Sequence, residues 1–499
     1  MKRTSGPVFA LAVCLFAPLA GADLTIGDAA PRFQLDTWLK GEAVDVPMLQ
    51  GRGVLVLEFW ATWCGPCRAS IPHLTRLQTQ YAAQGLVIVG VTKQDDRNKL
   101  DAVRSFVQRQ GDQMAYAVAF DKDGRTYDAY MRAAGQDGIP TAFVVDRSGR
   151  VAWIGSPFAL DAVLPAVLAG TYDVDTARQA AVLRTQLLQI ANPRAPQSGS
   201  ERRKVDEEKL AAQVAEIDKL LERSPKQVDT WELKLLAYLQ YESTRETALG
   251  VAEKAIAQFQ GDATSLQSLA TTLLRGNYGA SFNKLATRAA QDALKVNPND
   301  YSASLVYIQA LAAQRNDTEI ARFGAKLLKT LAGRPPDLHG FATTLAGLAG
   351  GQYTDLALRA VNDAIKARPT DAGYVQSKFF IMARGAKEPR DVRAVGREFL
   401  NKAQTDPVSL NAFASELLAD PLLGDRYKEL ALEAAQRCHE LSGGTNWEYV
   451  LTLAVAKLRH GATAEALEMF KKAVELCQDE EQKKALEARA QEFEKDKQP

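Results

Sequence analysis

Histidine and cysteine are scarce in this chain: 499 residues hold four of the first and five of the second. A zinc site wants two CxxC pairs, or one such pair with a His pair, at suitable distances. Cys14, Cys64, Cys67, Cys438 and Cys477 supply one close pair, and His73, His339, His439 and His460 each stand alone. His73 is expected on the solvent face of a helix and the other three on the surface. Charge of one sign is lacking too: 61 basic and 60 acidic side chains leave a net charge of +1. That balance argues against a nucleic-acid surface. Beyond Ala22 no apolar run is long enough to span a membrane. In the C-terminal two thirds of the chain no paired carboxylates, metal cluster or phosphate-cradling loop stand out. Neither a metal nor another cofactor is expected.

What is present is the motif Trp63-Cys64-Gly65-Pro66-Cys67. Two cysteines at this spacing can close a disulfide and reopen it by exchange with another thiol. A helix starting near Cys64 leaves that sulfur at its N-terminal end, where free N–H groups and the helix dipole stabilise a thiolate. Cys67 sits one turn further in, sheltered until needed. Gly65 permits the tight entry, and Pro66 falls in the first turn, where a missing N–H costs little. A lone CxxC is also half a zinc site, but the absent second ligand pair favours redox chemistry.

The apolar run Val54-Leu55-Val56-Leu57-Glu58-Phe59-Trp60 reads as a buried parallel strand. Glu58 interrupts it, and a carboxylate there is costly unless it has a task. It reads as a buried proton acceptor with a raised pKa, serving Cys67, or else as an outward-pointing residue near the strand end. A helical pattern from Arg68 to Gln84 follows, containing Pro72, which should kink it. Leu86 to Val91 then reads as a second buried strand, which completes a βαβ unit with the cysteines at the carboxyl end of its first strand.

The segment from Glu58 to Arg68 resembles the active-site strand and turn of thioredoxin-fold proteins. Gly138-Ile139-Pro140-Thr141 and the strand-like Ala142 to Asp146 resemble that family's cis-proline loop. Ile26 to Phe33 and the insert from Asp95 to Gly111, helical over Lys99 to Gln110, resemble its extracytoplasmic TlpA-like branch. The resemblance covers residues 24–172. It implies that Cys64 attacks, that Cys67 resolves the mixed disulfide, and that Glu58 takes the place of the family's buried acid. It implies that Pro140 is a cis-proline facing the disulfide, and that Ile139 offers its backbone to an extended substrate. Trp63, Gly65 and Pro66 would line the substrate site, and Trp60 would pack in the core. Peroxidase chemistry is set aside, because Thr62 lies only two residues before Cys64 and no proline stands at the expected place upstream.

Lys2 and Arg3, an apolar stretch from Val8 to Ala20, and Ala20-Gly21-Ala22 read as a secretory signal peptide. The expected place is a bacterial periplasm. A CxxC pair there tends toward oxidation, so the protein needs an electron donor or acceptor, such as a membrane thiol carrier. The Gly-Pro dipeptide and Ile139 resemble reducing thioredoxins, which favours a reductase of protein disulfides and a part in cell redox homeostasis.

After Gly170 the strand-like runs cease, and 192–200 reads as a Pro/Ser/Gly-rich linker. Beyond it, prolines at 298, 335, 369 and 407 stand 37, 34 and 38 apart. Such a period suits helix pairs of the tetratricopeptide type, roughly seven of them. Trp231, Tyr278, Tyr301 and Tyr353 are expected to pack within it. Cys438 and Cys477 could staple the last two units by a disulfide, or could simply pack as small apolar residues. The expected order is a signal peptide over 1–22, an α/β thioredoxin-like domain with a central mixed sheet over 24–172, a helical connector and linker over 173–203, and an all-α tetratricopeptide-like solenoid over 204–499. The solenoid would dock protein or peptide ligands, or serve as a spacer or dimerisation module. The alternative to catalysis is a scaffold whose thioredoxin-like head merely binds.

Overall fold

A computed structural model of the chain describes residues 24–191 except 36 and 96, residues 207–477 except 349, 350 and 386, and residues 482–488. The expected signal peptide, Cys14, the 192–200 linker and most of the charged C-terminal tail lie outside the described residues. The strands are β1 (Thr37–Lys40), β2 (Val54–Trp60), β3 (Leu86–Lys93), β4 (Ala117–Asp121), β5 (Thr141–Val145) and β6 (Val151–Gly155). They form one six-stranded sheet in the order β1-β4-β3-β2-β5-β6. β2, β3 and β4 pair in parallel, while β1, β5 and β6 add antiparallel.

Every residue of β2 is buried, as a central strand covered on both faces requires. Its side chains alternate between two cores. Val54, Val56 and Trp60 share one with Cys64, Cys67 and the helix Leu160–Ala169; Leu55, Leu57 and Phe59 share the other with Tyr130 and Phe143. Glu58 has the parity of Val56 and Trp60, so it belongs to the cysteine side.

Past Gly155 the described residues contain no further strand. The helix Val174–Ala191 is no free spacer: Ala180 and Leu187 pack with Leu210, Val214, Leu233 and Ala237 of the next two helices. Helix pairs then follow, their first helices beginning at Val228, Ala263, Tyr301, Pro335, Ala372, Pro407 and Trp447. Pro335 and Pro407 stand at first helical positions, where proline's fixed φ suits the helix. Most first helices open on an acidic or amide cap. Asp262, Asp300, Asp371, Asp406 and Asn446 each accept backbone N–H groups of the first turn. Small residues let the pairs close up: Ala286, Ala289, Ala290 and Ala293 of one second helix are fully buried. Among the described residues no helix is long and apolar enough to cross a membrane.

The row of first helices faces the head. Tyr172 Oη donates to Asp229 Oδ2 at 2.5 Å. Arg76 donates to Asp337 at 2.6 Å and lies over the Tyr301 ring at 4.7 Å. Arg109 pairs with Asp406 at 3.7 Å and Arg97 with Glu448 at 2.8 Å. The head is thus fixed along the array from its first helix pair to its last.

Candidate redox site

Cys64 is the N-cap of the helix Gly65–Tyr81, and Cys64 and Cys67 are joined in a disulfide. The Cys67 backbone N–H points at Cys64 Sγ over 3.2 Å. That donor and the helix dipole are placed to stabilise negative charge on Cys64 once the bond opens. Cys64 is 4 % exposed and Cys67 fully buried, while Gly65 and Pro66 between them are open to solvent. The Ile139–Pro140 peptide is cis, and the Ile139 carbonyl lies 3.7 Å from Cys64 Sγ. Ile139 and Pro140 are half-buried, so part of each remains available beside the disulfide.

Glu58 is buried, 1 % exposed, on the cysteine side of β2. Burial alone pushes its carboxyl up to about 8 from an ordinary 4.5. It pairs in register with Gly90 and Ala142, neither of which carries a polar side chain. A Cβ at Gly90 would meet Trp60 Nε1 and Tyr116 Cε2 at 3.1 Å. The absent side chain therefore makes room for both rings. Glu58 Oε1, Trp60 Nε1 and Tyr116 Oη are buried with no hydrogen-bond partner among the described residues. Burial, and then the neighbouring Glu58 charge, hold the Tyr116 hydroxyl well above the ordinary tyrosine range. The outward-pointing alternative for Glu58 is not what the strand adopts.

The loop before the motif is fixed by a residue that the sequence did not single out. Asn98, fully buried, accepts from the Thr62 N–H at 3.0 Å and the Thr62 hydroxyl at 2.8 Å. Its amide donates to Thr92 Oγ1 at 2.6 Å and to the Lys93 carbonyl. Trp63 is half-buried; its indole donates to Asp95 at 2.9 Å and the Arg97 guanidinium stacks on its ring at 3.8 Å. Through the Arg97–Glu448 pair, the last helix pair of the array reaches the residue next to Cys64.

Several expectations change. His73 is buried, not on a solvent face: its Nε2 lies 3.3 Å from Asp161, and Phe158 stacks on its ring. Burial outweighs Asp161 and lowers its pKa. His339 is half-buried rather than superficial, bonds Ser377 at 2.7 Å and lies against Tyr374. Burial brings its pKa down to about 4. His439, in the last turn of the helix Lys428–Leu441, and His460, the C-cap of Trp447–Arg459, are half-buried as well. The packing expected of Tyr353, Trp231, Tyr278 and Tyr301 is found in the array core; Tyr353 also bonds Asp317, and Tyr301 also meets the head through Arg76. Cys438 is a buried thiol outside any disulfide, so the staple to Cys477 is not made. Burial pushes the Cys438 thiol far up.

Residues 26–154 match the AhpC/TSA family. A thiol-disulfide oxidoreductase ResA of Bacillus thuringiensis is 34% identical over 129 residues, which cover 26% of this chain and 68% of that protein. Protein FixW of Rhizobium leguminosarum is 26% identical over 155 residues, covering 30% of this chain and 69% of its own. The solved structure of a thiol:disulfide interchange protein of the thioredoxin family from Chlorobium tepidum TLS is 28% identical. It covers 28% of this chain and 97% of that one, with a TM-score of 0.25.

Proposed function

This chain belongs to the AhpC/TSA family of thioredoxin fold, among thiol-disulfide oxidoreductases such as ResA, and on that premise we propose that it reduces protein disulfides outside the cytoplasm. The observation that carries the reading is the Cys64–Cys67 disulfide at a helix N-terminus, beside the Ile139 carbonyl and on the Glu58 side of the sheet.

In the reduced protein the Cys64 thiolate attacks a substrate disulfide. One substrate sulfur leaves as a thiolate and takes up a proton, and the other is held as a mixed disulfide. Cys67 gives its proton to the Glu58 carboxylate and attacks Cys64 Sγ. The second substrate thiolate leaves, and the Cys64–Cys67 bond closes. Two electrons have passed to the substrate, and an extracytoplasmic dithiol donor, such as a membrane thiol carrier, must return them. Glu58, with its carboxyl raised to about 8, is matched to exchange a proton with a thiol near neutral pH. Ile139 and Pro140 present the backbone against which an extended substrate would lie, and Trp63 would flank it. The helix pairs are read as tetratricopeptide-like repeats that recruit the partner. The signal-peptide pattern at the N-terminus supports a periplasmic location.

An insulin-type reduction assay tests the activity. Cys64→Ser should abolish turnover, and Cys67→Ser should accumulate a mixed disulfide. Undiminished turnover in Cys64→Ser would leave only a binding scaffold. A reduction potential nearer about −120 mV than about −270 mV would reverse the proposed direction.

A further inference from the structure

β3 leaves a gap beside the buried carboxyl, and two aromatic rings occupy it. Gly90 pairs in register with Glu58 and has the parity of Leu86 and Ile88, which belong to the cysteine-side core. Register partners on neighbouring strands share a face and stand about 5 Å apart. The place of a Gly90 Cβ therefore lies next to the Glu58 side chain. Trp60 Nε1 and Tyr116 Cε2 each come within 3.1 Å of that place. The indole N–H and the phenol ring thus meet beside the carboxyl, and the Tyr116 hydroxyl is near enough to feel its charge.

Neither donor has a partner among the described residues, and nor does Glu58 Oε1. An unmet polar group in a dry site costs about 1–3 kcal/mol, so three in one place call for a reason. The surrounding elements supply none. The register partners Gly90 and Ala142 are apolar. The helices Leu160–Ala169 and Leu100–Gln110 face this core with apolar side chains, Val163, Leu164, Val103 and Phe106 among them. On the helix Gly65–Tyr81, Arg68 lies over the Phe106 ring at 5.8 Å, and His73 turns to Asp161. That leaves the two cysteines and Tyr116 as the titratable groups beside Glu58.

Both donors suit one task. An indole N–H can only donate. The Tyr116 hydroxyl, held well above the ordinary tyrosine range by burial and then by Glu58, stays protonated and donates too. A neutral acid asks little of them. A carboxylate in a low-dielectric site gains most from donors that are already in place.

Resting on the Glu58 step of the reductase reading, we propose that Tyr116 is a positioning residue for proton exchange. Its hydroxyl, beside the Trp60 N–H, donates to the Glu58 carboxylate while that group waits for the Cys67 proton. When the proton arrives the hydrogen bond slackens, and Cys67 attacks Cys64 Sγ. Tyr116 keeps its own proton throughout.

The test uses the reduced full chain and the aromatic disulfide DTNB in stopped flow. Cys64 attacks and releases one coloured thiolate. Cys67 then passes its proton to Glu58, closes the Cys64–Cys67 bond and releases the second. Cys438 and Cys477 are buried, so the fast phases belong to the pair. The rate of the second phase should rise with pH and level off near the Glu58 value of about 8. Tyr116→Phe should move that inflection up by about one pH unit and slow the second phase about tenfold at neutral pH, as the loss of one hydrogen bond to a charged group implies. Glu58→Gln should remove the inflection, and Tyr116→Phe should then add nothing. meta-Fluorotyrosine in place of Tyr116, a stronger donor of nearly the same shape, should lower the inflection, a change that a damaged fold could not produce. A Tyr116→Phe profile that overlays the native one, or an equal slowing with and without Glu58, would overturn the proposal. An inflection that survives Glu58→Gln would remove the Glu58 step and the proposal with it. The expected profiles in a chain that does not reduce insulin would keep Tyr116 in its role and remove the reductase reading.

Discussion

Glu58 is the residue whose environment makes the sharpest statement. Its carboxyl, raised from 4.5 to about 8 by burial, holds its proton more tightly folded than unfolded. The sign follows: stability is greatest below the unfolded value and falls as pH rises toward the folded one, by roughly 1.4 kcal/mol per pH unit. Urea unfolding of the oxidised protein at about pH 5 and about pH 8 should show that fall, and Glu58→Gln should flatten it. An equal slope in both proteins would mean that the carboxylate is not held out of water. Asn98 supports the loop from the other side. Asn98→Ala would strand the Thr62 N–H and hydroxyl in a buried site, which costs about 1–3 kcal/mol per unpaired group, measured as a lower unfolding midpoint. Glu58 was legible because a charge in an apolar run is conspicuous. Asn98 was not, since it lies in a polar loop and its partners come from β3 and from the segment before Cys64. His73 misled for a related reason: helical spacing alone did not show that Phe158 and Asp161 would cover it.

Among the elements, β2 and β3 were readable from apolar runs and β5 from the family resemblance, whereas the short β1, β4 and β6 were not read; the helix pairs were readable from their turn prolines. Pro335 and Pro407 mark helix starts because a first-turn residue needs no N–H partner. The caps carry more than local order. Asp262 and Asp406 hold equivalent first-turn N–H groups in their own helices, so losing either should cost about 1 kcal/mol. Asp406 also faces Arg109 and the enclosed Arg68. Asp406→Ala should therefore lower the thermal midpoint more than Asp262→Ala, and 0.5 M salt should narrow the difference by screening the Arg109 pair. A cap can be read from Asp at a helix start; what lies opposite it cannot, because the facing arginines belong to another part of the chain.

At the scale of the whole molecule, the division into an α/β head and a helical array could be read from the sequence, but their mutual contact could not. Its ion pairs join residues such as Arg76 and Asp337 or Arg97 and Glu448, which no local pattern relates. Glu448→Ala should release Arg97 from the array and loosen the loop around Asp95. Hydrogen exchange over residues 95–98 should quicken while β2 and β3 stay protected, and Trp63 emission should shift as its stacked cation moves. Unchanged exchange in that loop would show that the array does not brace it. The head touches the array near both extremes, at Asp229 and at Glu448. Free-standing repeat arrays can gain or lose a unit, because each repeat answers only to its neighbours. Here an added or deleted helix pair between those anchors would carry one of them out of reach. The head acts as a gauge, tying the repeat number to the span of a single α/β domain.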